Sequence, residues 1–205
     1  MSLGLDETHE GINEALNRAI HPEDHESNKS PKIVFAAAAN GGANEATAYP
    51  ARRDGVICVY ASDGDGNTGD FNPDCTRDTT NNDEFAILGV DIESKWNKKT
   101  VHKSGTSFAT PIAAGIACNI LEFARHELPN VTPERRYWLY SYKGMVPIFR
   151  RMSKKRGDYC YLSPWRKHKH EIKRQRDAGV WEGREDGTVD SEYLKKLLVG
   201  AIRYD

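Results

Sequence analysis

Ser107 is the residue whose setting most favours chemistry. It lies in the segment KSGTSFATPIAAG, residues 103–115, where Gly105 and Thr106 precede it and small apolar residues follow. A serine in the first turn of a helix lies near free backbone N–H groups and the positive end of the helix dipole, and both favour an anion. The small residues around it let another polypeptide backbone come close. Taken alone, the pentapeptide GTSFA favours an ordinary helix cap, because Ser and Thr are preferred capping residues, and a nucleophile is the alternative.

The hydrophobic pattern predicts the elements that must position this serine. Residues 11–20, GINEALNRAI, carry apolar side chains at helical spacing, and residues 32–39, KIVFAAAA, form an apolar run of strand length. Two more strand segments follow, GVICVYA and FAILGVDIES. From residue 107 to 125 the sequence is apolar on almost every side, as in a buried central helix. Alternating strands and helices predict an α/β fold with a mainly parallel sheet.

The charges divide the chain into two parts. The net charge is −1 over 205 residues, but residues 1–128 hold 20 acidic and 11 basic side chains, whereas residues 129–205 hold 10 acidic and 18 basic. Pro129 and Pro133 mark the break, and aromatic and basic residues follow. We expect a first domain over residues 1–128 and a helical or irregular basic extension over residues 129–205.

Composition narrows the function classes. A hydrophobic content of 38% with 29% charged residues is typical of a soluble protein. No uninterrupted apolar run has the roughly 18 residues of a membrane span, and no signal peptide opens the sequence. The four cysteines are far apart, without zinc-site spacing. We therefore expect a cytoplasmic protein without a membrane partner, metal or other cofactor.

Two further segments leave alternatives open. The segment DGDGNTGDFNPD, residues 63–74, is favoured as a hairpin-like loop over a calcium site, because Thr68 and Asp74 break the EF-hand pattern. The tail from Arg150 to Arg176 mixes aromatic and basic residues, a composition that RNA or an anionic surface could bind. We favour a solvated flank packed on the domain, so nucleic acid is not the expected partner.

Four segments, in order, resemble one known family. GTSFATPIAAG resembles GTSMASPHVAG, the serine motif of subtilisin-like serine peptidases (subtilases, peptidase family S8). MSLG is similar to the strand that lines that family's substrate cleft, and AAAANGG resembles AAAGNEG. YPARRDGVICVYASD is similar to YPAKYPSVIAVGAVD. The resemblance covers residues 1 to about 125 and implies the C-terminal part of a subtilisin-like catalytic domain.

The resemblance implies a site for peptide-bond hydrolysis through an acyl-enzyme. Ser107 takes the place of the nucleophile, and Asn40 takes that of the side-chain amide that stabilises the oxyanion together with the N–H of Ser107. A polypeptide substrate would contact residues of three short segments: Ser2, Leu3 and Gly4; Ala37, Ala38 and Ala39; and Thr106. Ala39 replaces the family's glycine, which should narrow the primary specificity pocket.

The family's other two triad residues have no counterpart in this sequence. The D-[ST]-G and H-G-T motifs precede the MSLG strand in the family, and neither motif occurs in the 205 residues. The resemblance places His102, the histidine nearest in sequence to Ser107, so that its side chain points away from the cleft. Four other histidines are interpreted as surface residues: His9, His21, His25 and His126. We therefore expect a truncated, inactive peptidase module.

Three functions remain open from the sequence. The first is a peptidase module whose partner is the missing N-terminal half of the domain or a larger multidomain protein. The second is an inactive peptide-binding or regulatory remnant. The third is binding of nucleic acid or an anionic surface through the basic tail.

Overall fold

The computed structural model of the chain describes residues 1–2, 4–22, 30–74, 84–128, 130–164 and 191–202. The helices in this part are α1 (Glu10–Ile20), α2 (Thr106–Glu127), α3 (Pro133–Leu139), α4 (Tyr142–Met152) and α5 (Ser191–Ile202). The strands are β1 (Val34–Ala37), β2 (Val56–Ser62), β3 (Glu84–Leu88), β4 (Ile92–Trp96), β5 (Lys99–Lys103), β6 (Ser153–Arg156) and β7 (Tyr159–Leu162).

A five-stranded sheet organises these elements. Its strand order is β1-β2-β3-β7-β6, and all neighbouring pairs are parallel except the antiparallel pair of β6 and β7. Strands β4 and β5 form a separate antiparallel hairpin. The predicted α/β class with a mainly parallel sheet is confirmed.

The sheet is buried on both faces, which explains its unbroken apolar runs. All seven residues of β2 are buried, as expected for a parallel strand covered on each side. One face packs Phe35, Val59 and Phe85 under α2, α4 and α5. On the opposite face, Ala36 and Tyr60 pack with residues of α1. The result is a three-layer arrangement of helices, sheet and helix.

Helix α2 lies directly on the parallel strands because its contact face is built from small residues. Seven of its side chains are buried, at spacings close to one helical face: Thr106, Ala109, Thr110, Ala113, Ala117, Ile120 and Ala124. By length and composition α2 could also cross a membrane. One face of α2 packs against β1, β2 and β3, and 33% of its most apolar stretch is buried inside the protein.

The segment after residue 128 contributes to the same core. Phe149 of α4 packs between Phe35 and Phe85, with ring centroids 5.8 and 5.4 Å apart respectively. Strand β7 extends the sheet beyond β3. The division at residue 128 therefore stays a prediction from composition, and the structure shows a shared core across it.

Phe149 provides a test of this shared core. Phe149→Ala should lower the free energy of unfolding by about 3–5 kcal/mol, because it removes a fully buried ring that bridges β1, β3 and α4. Urea unfolding measures the loss. Lys143→Ala, at an exposed position of the same helix, should change stability by no more than about 0.5 kcal/mol. Equal effects of the two variants would mean that α4 does not share the core.

Candidate active site

Ser107 lies where the parallel strands end. It is the second residue of α2, and Gly105 just before the helix donates its N–H to the carbonyl of Gly89, 2.8 Å away, immediately after β3. A Cβ on Gly89 would lie 2.8 Å from that of Ala109 and 2.9 Å from that of Ala61, so glycine lets the helix start approach the strand ends. The carboxyl edge of a parallel sheet is the usual place for a ligand site in open α/β folds.

The Asn40 side chain is fixed by Thr106, the residue before the candidate nucleophile. The Thr106 N–H donates to Oδ1 of Asn40 at 2.8 Å. The Thr106 hydroxyl lies 3.2 Å both from Oδ1 of Asn40 and from the carbonyl oxygen of Ala39. Because a backbone N–H can only donate, this contact assigns Oδ1 to the Thr106 side and directs the Asn40 NH₂ group away from it.

Two hydrogen-bond donors beside Ser107 are left unused. Within the described part of the chain, neither the Nδ2 group of Asn40 nor the N–H of Ser107 has an acceptor. The N–H of Ser107 is free because it belongs to the first turn of α2, where helical N–H groups have no intrahelical partner. Two free N–H donors next to a serine are the components of an oxyanion hole.

Ser107 and Ser2 exchange two hydrogen bonds. The hydroxyl of Ser107 donates to the carbonyl of Ser2 at 3.3 Å, and the hydroxyl of Ser2 donates to the carbonyl of Ser107 at 3.2 Å. The Ser107 carbonyl is available because Pro111, four residues later, has no N–H to donate to it. This pairing was not predicted from the sequence. The feature that could have indicated it is Pro111, because a proline four residues after Ser107 leaves the Ser107 carbonyl without its helical donor.

The predicted substrate-binding strand begins beside β1. The N–H of Ala37 donates to the carbonyl of Met1 at 3.0 Å, and the amino group of Met1 donates to the carbonyl of Phe35, the bonding pattern of a parallel neighbour. Gly4 lies close to Ala48, since a Cβ on Gly4 would come within 2.5 Å of the Ala48 Cβ. Leu3 lies outside the described residues.

The three alanines predicted to form a pocket wall differ in burial. Ala37 and Ala38 are buried, and Ala38 packs with Leu16 and Tyr49 in the core on the α1 side of the sheet. Ala39 is half-buried and has a φ of 133°, a region that favours glycine. Thr106 is fully buried, and its bonds go to Ala39 and Asn40. Substrate binding by these residues stays a prediction.

The histidine nearest to Ser107 in sequence is engaged elsewhere. His102 lies on β5, exposed to solvent, and its Nδ1 is 3.0 Å from Oδ1 of Asp91. His126 pairs with Glu122 near the end of α2, about 28 Å along the helix axis from Ser107. In the described part of the chain, Ser107 forms side-chain hydrogen bonds only with Ser2.

The acidic loop that also suggested calcium is held by its own hydrogen bonds. Asp63 Oδ1 accepts from the N–H groups of Asp65 and Asn67, and Oδ2 accepts from the Asn67 side chain at 2.8 Å. Desolvation raises the pKa of Asp63, but these hydrogen bonds outweigh it and lower the pKa below its ordinary value. The ionised carboxylate therefore stabilises the loop at pH values above the ordinary carboxyl pKa. This stabilisation is lost as the pH falls through the lowered pKa of Asp63.

Aromatic residues of the basic tail pack on the domain. Tyr161, on β7, is buried against Gly66 and donates its hydroxyl to the carbonyl of Gly64 at 2.8 Å. Tyr159 donates its hydroxyl to the carbonyl of Pro73 at 3.2 Å. These contacts agree with the interpretation of a flank packed by its aromatics. The part of the tail from residue 165 to 176 lies outside the described residues.

Comparison with known proteins identifies the family. The profile of the Subtilase family (Peptidase_S8) matches residues 1–144. A thermostable alkaline protease of Halalkalibacterium halodurans is 34% identical over 121 residues, which cover 57% of this chain and 29% of that protein. The chain therefore belongs to the subtilase family, and it spans less than a third of this relative's length.

Two solved structures are similar in fold. The prenylagaramide maturation protease PagA is 25% identical with a TM-score of 0.50, covering 64% of this chain and 48% of that one. A mutant of the protease domain of PatA is 24% identical with a TM-score of 0.59, covering 80% of this chain and 55% of that one. The family resemblance and the subtilisin-like fold predicted from the sequence are confirmed.

A pair of glycine variants tests the packing of Asn40. A Cβ on Gly105 would lie 3.3 Å from Asn40 Oδ1, and Gly105 has a φ of 151°. Gly105→Ala should therefore lower the free energy of unfolding by about 1–3 kcal/mol. Gly115, inside α2, is exposed with open space around it. Gly115→Ala should raise the free energy of unfolding by about 0.5–1 kcal/mol. Thermal and urea unfolding report both changes, and a neutral Gly105→Ala would contradict the tight contact.

Proposed function

We propose that this chain is part of a subtilisin-like serine endopeptidase in which Ser107 is the nucleophile. The observation that carries the proposal is the pair of free donors, Nδ2 of Asn40 and the N–H of Ser107, which Thr106 and the helix start hold beside the serine. Both would donate to the oxygen of a scissile carbonyl. Such donors act mainly on the transition state, where the oxygen gains negative charge.

The reaction proceeds through a covalent acyl-enzyme. The Ser107 oxygen attacks the carbonyl carbon, its proton passes to a base, and the carbonyl oxygen becomes the oxyanion. Protonation of the leaving amine breaks the peptide bond, and water then hydrolyses the ester. The Ser2 carbonyl that accepts the Ser107 hydroxyl cannot serve as this base, because a peptide carbonyl is far too weakly basic.

In this proposal the base and its orienting carboxylate come from polypeptide outside these 205 residues. The sequence contains neither D-[ST]-G nor H-G-T. We propose that a segment carrying both motifs, in the same protein or in a partner, packs beside Met1 and β1 and completes the triad. The substrate would lie extended along residues 2–4, with Ala39 narrowing the pocket for its side chain.

A peptide-binding protein without catalysis is the second candidate. The observation that favours it is the reciprocal bonding of Ser107 and Ser2, which satisfies the serine hydroxyl without any base. The substrate strand and the donor pair would then hold a peptide carbonyl without cleaving the peptide.

Covalent labelling separates the two candidates. The 205-residue chain should not react with a fluorophosphonate at Ser107, because without a base the serine retains little reactivity. Where the coding sequence before Met1 contains both motifs, the protein extended to include them should label stoichiometrically. Ser107→Ala should abolish that labelling, and Ser94→Ala should leave it unchanged. Labelling of the 205-residue chain itself would mean that one of its own histidines is the base. An extended protein that stays unlabelled would support the binding role.

The oxyanion role of Asn40 has its own test in the extended protein. Asn40→Ala should lower kcat for a peptide substrate by about 10²–10³-fold with little change in KM, a magnitude that comes from subtilisin itself. Asn119→Ala, at an exposed position of α2, should leave kcat unchanged. A loss confined to KM would assign Asn40 to ground-state binding instead.

A further inference from the structure

The hairpin of β4 and β5 is a basic segment within the acidic first part of the chain, residues 1–128. Residues 1–128 hold 20 acidic and 11 basic side chains. Residues 91–103 contribute 2 of the acidic and 4 of the basic side chains. The remainder therefore carries 18 acidic side chains against 7 basic ones. The four hairpin lysines are exposed, and none has an ion-pair or hydrogen-bond partner for its ammonium group within the described residues: Lys95, Lys98, Lys99 and Lys103.

The tip of this hairpin exposes a tryptophan. Trp96 is 69% exposed, the highest value for a large hydrophobic side chain in the described part of the chain. It pairs across the strands with Lys99, so the two side chains project from the same face. Asn97 and Lys98 have positive φ values, which close the two-residue turn and hold both strands in register.

Open strand edges are a further feature of the hairpin. Strands β4 and β5 pair only with each other among the described strands, so each has a free edge of backbone N–H and carbonyl groups. Lysines on such an edge oppose pairing with a second copy of the same hairpin, because like charges would then be adjacent. The same lysines attract a strand of opposite charge. The edge therefore discriminates between partners by charge.

We propose that the β4–β5 hairpin is a docking surface for an extended acidic polypeptide segment. The segment adds to a free strand edge by backbone hydrogen bonds, its carboxylates face the lysines, and an apolar residue covers Trp96. The open strand edges favour a polypeptide over RNA, because RNA has no backbone amides to continue the sheet. This surface is separate from the chemistry proposed for Ser107 and does not depend on it.

Fluorescence anisotropy with the intact 205-residue chain tests the proposal. The probe is a fluorescein-labelled polyglutamate peptide with one central leucine, so that carboxylates project from both faces of the added strand and can reach both Lys95 and Lys99. It should bind more weakly as salt is added, and a peptide with lysine in place of glutamate should not compete. Lys95→Glu combined with Lys99→Glu should weaken binding about tenfold, and Trp96→Ala about fivefold.

Matched controls make the outcome decisive. All three substitutions are at exposed positions, so circular dichroism should show an unchanged fold. Lys143→Glu combined with Lys154→Glu, an equal double charge reversal at exposed positions of α4 and β6, should change the affinity less than twofold. Binding that is absent, or that this double control weakens as much as the double hairpin variant does, would overturn the proposal. So would tighter binding of oligouridylate RNA that the same hairpin variants abolish.

Discussion

The hydrogen bond from the Thr106 N–H to Oδ1 of Asn40 is the interaction on which the site depends. It joins the loop after β1 to the first turn of α2, and at 2.8 Å it is the shortest of the Thr106–Asn40 contacts. It sets the orientation of the Asn40 amide and leaves Nδ2 without an acceptor among the described residues. Without this hydrogen bond, the exposed Asn40 side chain would occupy several rotamers. A donor that must first be ordered during the reaction stabilises the transition state less than one that is already in place.

The fold brings these two segments together by close packing of small residues. Gly89 and Ala109 let the first turn of α2 meet the end of β3, and Gly105 fits against Asn40 where a methyl group would be crowded. The helix then continues along the parallel strands on its alanine face. The site thus lies where buried elements end: Thr106 is fully buried, whereas Ser107 is half-buried and Asn40 is exposed. Residues after 128 support the same sheet, through β7 and the ring of Phe149.

Much of this arrangement could be predicted from the sequence, because it rests on strong local patterns. The unbroken run ending in AAAAN and the small-residue helix after Ser107 predict buried elements, and the family resemblance placed Asn40 beside the serine. The sequence also contains the reason for the Ser2 contact, which our sequence analysis does not predict. Pro111 has no N–H, so the Ser107 carbonyl four positions earlier lacks its helical donor and accepts from the Ser2 hydroxyl instead. The contribution of β7 was not predictable, since YCYL is short and its partner β3 lies more than 70 residues away. Charged residues dominate the segment that contains Tyr159 and Tyr161, so its composition predicts a basic tail and gives no indication of a strand.

Amide hydrogen exchange at the start of α2 tests the central claim most directly. The Thr106 amide should be protected in the native chain, the neighbouring Ser107 amide should exchange rapidly, and the Phe108 amide, which donates to the Gly105 carbonyl at 3.0 Å, should be protected. In Asn40→Ala, protection should fall at Thr106 by about tenfold or more, in line with the loss of roughly 1.4 kcal/mol or more of local stability, and it should persist at Phe108. A Thr106 amide that exchanges as fast as Ser107 in the native chain would contradict the account, because Asn40 would then not be fixed and the donor pair would not be preformed.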